Sequence, residues 1–93
     1  MITQTDVSTH RKVIQAIHNN WLQGNPFALR EVADKAAVSH SSTVRTLNVL
    51  KKIKMLKFSR QAYAARHYSI TTMWPKEVKE IIDIFEFARI LKV

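Results

Sequence analysis

Cysteine is absent from this 93-residue chain, glycine occurs once and proline twice. Without cysteine there is no disulfide scaffold and no thiolate metal site, and nothing points to an oxidising compartment. So little glycine and proline excludes collagen-like, linker-like and turn-rich sandwich designs, and favours helices joined by a few tight turns. No apolar run approaches the roughly 18 residues of a membrane span. The polar start Met1-Ile2-Thr3-Gln4-Thr5-Asp6 does not read as a signal peptide, so a cytoplasmic protein away from the membrane is expected. What remains is a chain with 46% hydrophobic residues, long enough for one modest core and too short for two.

The excess of positive charge is confined to one stretch. The formal net charge is +8. Residues 1–34 set Arg11, Lys12 and Arg30 against Asp6, Glu31 and Asp34, and residues 76–93 balance in the same way. The excess therefore lies in 35–75, where Lys35, Arg45, Lys51, Lys52, Lys54, Lys57, Arg60 and Arg66 stand without a single acid. Like charges in proximity repel and weaken a compact state, so a block of this kind suggests a polyanionic partner.

The apolar pattern divides the chain into elements. Val13, Ile14, Ile17, Trp21 and Leu22 recur at helical spacing and predict a helix from about 8 to 22, with Ser8 or Thr9 as its cap. Gly24 suits the left-handed position past a helix end, and Pro26 forbids immediate continuation. Pro26-Phe27-Ala28 has room only for a bridging strand. Leu29, Val32, Ala33 and Ala36 predict a second, two-turn helix; Ala37-Val38-Ser39 is a compact break, with Ser39 as N-cap. Val44, Leu47 and Leu50, with Val49 and Ile53 beside them, predict a third helix over 39–54. From Met55 to Thr71 the period becomes two, with Phe58 and Tyr68 on core-like phases, which predicts a β-hairpin around Ala62-Tyr63-Ala64-Ala65. Pro75 is placed to open a last helix over about 75–91. The expected class is mainly α with a small β-hairpin: a winged helix-turn-helix (three-helix core plus wing) over 1–74, and an extra C-terminal helix over 75–93.

The stretch from Phe27 through Lys52, and above all Ser41-Ser42-Thr43-Val44-Arg45-Thr46-Leu47 with the closing Tyr68-Ser69-Ile70-Thr71, resembles the helix-turn-helix of IclR-type and MarR-type DNA-binding domains. The resemblance covers about 8–71 and implies a winged-helix fold and a DNA-binding regulator. Those families place glycine after the third helix, where this chain has Lys54, and at the wing tip, where it has Ala64-Ala65. A shorter or differently twisted wing is expected.

A DNA role can also be argued from the residues. A helix fits the major groove, where its first turns reach base edges. With Leu47 marking the buried direction, steps of about 100° place Ser41, Ser42, Arg45, Val49 and Lys52 opposite, and Thr46 and Asn48 on the flanks. Ser41, Ser42 and Thr43 are expected to meet phosphates or bases, and Arg45 to fork onto guanine. Capping alone is the other role open to the serines, and a phosphate contact the other for Arg45. Lys51, Lys52, Lys54 and Lys57 are expected on phosphates, and Arg60, Gln61, Tyr63 and Arg66 on the wing against backbone or minor groove.

Other classes are weaker. His10, His18, His40 and His67 show no metal-ligand spacing, His40 and Ser41 are too close on a helix to face each other, and a single glycine makes no phosphate cradle, so neither catalysis nor any cofactor is expected. No small-molecule ligand is evident. RNA binding usually shows aromatic platforms, which are not evident here. A winged helix used for protein contact, or a replication or mobile-element initiator, remains open. The partners expected are double-stranded DNA and a second copy, because Ile84, Phe87 and Leu91 form an apolar stripe beside Val78, Ile81, Ile82 and Phe85. That gives a nucleoid-associated homodimer.

Overall fold

The computed structural model describes residues 4–59 and 67–91. The elements run α1 (Gln4–Trp21), β1 (Phe27–Ala28), α2 (Leu29–Ala36), α3 (His40–Lys52), β2 (Leu56–Ser59), β3 (His67–Ile70) and α4 (Val78–Ile90). The chain is therefore mainly helical with a small antiparallel sheet. None of the helices described is long and apolar enough to cross a membrane.

α1 begins before the caps expected at Ser8 and Thr9, because neither glycine nor proline interrupts the chain ahead of Gly24. It ends as its sequence dictates. Gly24 takes φ +89° and donates its N–H to the Trp21 carbonyl at 2.9 Å, a conformation that costs a residue without Cβ nothing. Leu22 falls beyond the last turn and is exposed, not part of the apolar stripe. The stripe that is buried runs through Val13, Ile14, Ile17 and Trp21.

α2 starts where the Glu31 carboxylate accepts the Ala28 N–H at 3.0 Å. It stops at Ala37, whose left-handed φ of 55° turns the chain sharply while the Val38 N–H bonds the Ala33 carbonyl at 3.1 Å. Two residues later Ser39 caps α3, its Oγ accepting from the Ser42 N–H at 3.3 Å. α3 ends two residues earlier than the expected Lys54, because Lys54 itself adopts φ 65°.

The sheet has order β1-β3-β2. The expected hairpin strands pair with Leu56 opposite Ile70 and Phe58 opposite Tyr68, and the short β1 adds Phe27 opposite Tyr68 on the other edge. Aromatic rings follow that pairing: Trp21 packs on Phe27 with centroids 4.8 Å apart, and Phe27 on Tyr68 at 6.2 Å. One core unites all layers, from Val13, Ile14 and Ile17 of α1 through Leu47 and Leu50 of α3 to Ile81 and Phe85 of α4.

Pro75 does not open the last helix. Trp74 is buried and donates its indole N–H to His18 Nδ1 at 3.1 Å, so the chain must turn after it before α4 can begin at Val78. The Thr71 hydroxyl steadies this link by donating to the Lys54 carbonyl at 2.7 Å.

Candidate nucleic-acid interface

α3 sits against the core through Thr43, Thr46, Leu47 and Leu50, all buried. On a helix of about 100° per residue these four bracket a direction roughly 50° away from Leu47 alone. That rotation decides which side chains face outward. Ser41, Val44, Arg45, Asn48, Lys51 and Lys52 line the exposed face, with Ser42 and Val49 half-buried at its edge.

Two site expectations are thereby overturned. Thr43 and Thr46 have no exposed surface and cannot touch a nucleic acid. Their hydroxyls donate to carbonyls one turn back, Thr43 to Ser39 at 2.8 Å and Thr46 to Ser42 at 3.1 Å, which is how a threonine satisfies its polar atom inside a packed helix face. Ser42 is occupied as well: its N–H and Oγ both engage the Ser39 side chain, so its first role is in the cap.

The remaining expected residues of α3 and its C-terminal side fare differently. Arg45, Asn48, Lys52, Lys54 and Lys57 are exposed and have no side-chain partner among the described residues. Ser41 is exposed, with its Oγ 3.4 Å from that of Ser39. Lys51 is exposed but not free, since its ammonium lies 3.5 Å from the centroid of the Phe58 ring. Phe58, expected in the core, is 40% exposed: it shares the core-facing side of the sheet with Leu56 and Tyr68 but stands on the edge strand, against Tyr68 and beneath Lys51. Val44 was expected in the apolar stripe and is instead 38% exposed. Arg60, Gln61, Tyr63 and Arg66 lie outside the described residues.

Beside this face runs an open cleft of about 670 Å³, with Val44, Asn48 and His40 on one wall and Leu29, Arg30 and Glu31 of α2 on the other. Arg30 and His40 are exposed at this cleft, and sequence reasoning did not place either of them there. His10 was missed too. It is buried, one turn ahead of Val13 and Ile14 on the same stripe, and its Nδ1–H donates to the Thr46 hydroxyl while its ring packs 5.2 Å from that of Phe85. The signal was its phase on α1, not any ligand spacing. Among the described residues no group of three or more His, Asp or Glu is placed to hold a metal ion.

The far end of the molecule presents a second kind of surface. Ile84, Phe87, Ile90 and Leu91 of α4 and its C-cap are 42% to 69% exposed, while Ile81, Ile82, Phe85 and Ala88 on the other side of the helix are buried. Ile90 is an addition to the expected stripe. No protein-family model, curated protein or solved structure matches this chain.

Proposed function

We propose that the chain is a winged helix-turn-helix protein that binds double-stranded DNA sequence-specifically, as a small transcriptional regulator acting as a homodimer. The observation that carries this reading is the outward face of α3, polar and cationic, without an acid, and with Arg45, Asn48 and Lys52 uncommitted to any described neighbour. A helix about 10–12 Å across fits a major groove of similar width. The order helix, left-handed turn, capped helix, antiparallel hairpin supports the winged arrangement, with the hairpin laid on the backbone or minor groove. Lys52, Lys54 and Lys57 then grip phosphates and set affinity without reading sequence.

The dimer follows from where charge is absent. Residues 35–75 are cationic and repel a second copy, whereas 76–93 carry four bases and four acids and expose the apolar stripe of α4. That is the face on which two such chains can meet, and a two-fold pairing there sets two α3 helices on half-sites about 10 base pairs apart, or a multiple of it.

The test is a salt titration of binding to a 30-base-pair duplex. With about six phosphates neutralised, log affinity falls against log salt with a slope near −5. A slope near zero overturns the reading.

A further inference from the structure

The outward face of α3 carries one feature that phosphate gripping does not use. Val44 is an exposed β-branched apolar residue set among Ser41, Arg45, Asn48 and Lys51. Asn48 stands one turn from both Val44 and Arg45, at i+4 from the first and i+3 from the second, so it joins the three side chains into one cluster on the helix surface. Arg45 and Asn48 are both exposed and without a partner among the described residues. The cleft next to Val44 and Asn48 is open, so nothing described covers the approach to them. Lys51 is drawn aside onto Phe58, and Lys52 lies one turn further along the helix.

The chemistry of the three differs in a way that the major groove can distinguish. A carboxamide sets a donor beside an acceptor and matches adenine N7 and N6; a guanidinium sets two donors side by side and matches guanine O6 and N7; a branched apolar group matches only the thymine methyl. Along the helix the cluster spans about 4–6 Å, against a base-pair rise of about 3.4 Å, so its reach covers about three contiguous pairs.

We infer that Val44, Arg45 and Asn48 together read a core of about three base pairs containing one G·C pair, contacted by Arg45, and two A·T pairs, of which Asn48 reads an adenine and Val44 the methyl of a thymine. This rests on the DNA-binding reading above. It makes Asn48 and Val44 specificity-determining residues equal in standing to Arg45, and it leaves the lysines to affinity alone.

The experiment is selection from random duplexes by the full-length chain and its Asn48→Ala, Arg45→Ala and Val44→Ala variants, followed by binding at fixed salt. The wild type is expected to select a contiguous core of that composition. Asn48→Ala should lose preference at one adenine by about 5- to 150-fold, and Arg45→Ala at one guanine by a similar factor, with binding to random DNA changed less than twofold for Asn48→Ala. Replacing one thymine of the core by uracil, which deletes only the methyl, should weaken the wild type about threefold and Val44→Ala by clearly less. All three residues are exposed, and unchanged thermal midpoints will separate lost reading from lost folding. Binding with the expected salt slope but no base preference removed by Asn48→Ala, or indifference of the wild type to every thymine methyl, overturns the inference and leaves the DNA reading standing. Absence of salt-dependent binding to any duplex overturns both.

Discussion

α3 and α4 are both 13 residues long, both bury one face in the same core, and both turn the other face to solvent. Inward they are alike: Leu47 and Leu50 on one, Ile81 and Phe85 on the other, each worth about 1.5–3 kcal/mol when fully buried. Outward they are opposites. α3 shows hydroxyl, amide, guanidinium and ammonium groups around a single valine, whereas α4 and its C-cap show two isoleucines, a phenylalanine and a leucine beside Lys79, Glu80 and Asp83. The inner faces account for the fold, so it is the outer ones that bear on partners: in the function proposed above, a polyanion for α3 and an apolar surface for α4.

The strongest way to break this comparison is Phe87→Glu. Phe87 is 64% exposed, so the folded monomer should change in stability by no more than about 0.5 kcal/mol. Sedimentation should show a monomer, and affinity for a two-half-site duplex should fall on the order of 100-fold as the second binding event is lost. A wild-type chain that is itself a monomer at high micromolar concentration removes the role given to α4.

A smaller effect sharpens the division within α3. Thr46→Val deletes the hydroxyl that accepts from His10 and donates to the Ser42 carbonyl, and should cost about 1–2 kcal/mol in urea unfolding. The salt slope of DNA binding should stay as it was. A lower slope with unchanged stability would return Thr46 to the interface.

The smallest expected change is at the junction after α3. Lys54 holds φ 65° without being glycine, so Lys54→Gly should raise stability by about 0.5–1 kcal/mol while removing about one phosphate from the salt slope. The two readouts move in opposite directions, and a loss of stability would show that the lysine side chain makes packing contacts.

Much of this molecule was legible because helical period and turn chemistry are local. Gly24, by its missing Cβ, and Ser39, by its hydroxyl, hold the positions expected of them, α2 has the predicted ends, and the alternation around 56–59 and 67–70 marks two strands. Three things were not local. The pairing of β1 with β3 joins residues far apart in sequence. Trp74, alone in a link without periodicity, is buried by a bond to His18 in α1. The outward face of α3 was misjudged by a fraction of a turn because two threonines, polar by composition, belong with Leu47 and Leu50 inside. Val44 and Phe58 came out into solvent for the complementary reason: an apolar residue can stand on a surface wherever its element's buried arc is already filled by others.

The position of β3 in the middle of the sheet has a consequence for how the protein is made. Phe27 leaves the ribosome well before Tyr68, the residue it faces across the sheet, and Leu56 before Ile70. At about 5–20 residues per second, the aromatic side of the first three helices waits several seconds for its cover. α4 arrives later still, bringing Ile81 and Phe85 to the same core. Until β3 has emerged, the side of the core lined by Phe27 and Leu56 stays open, and α4, which follows it, completes that core.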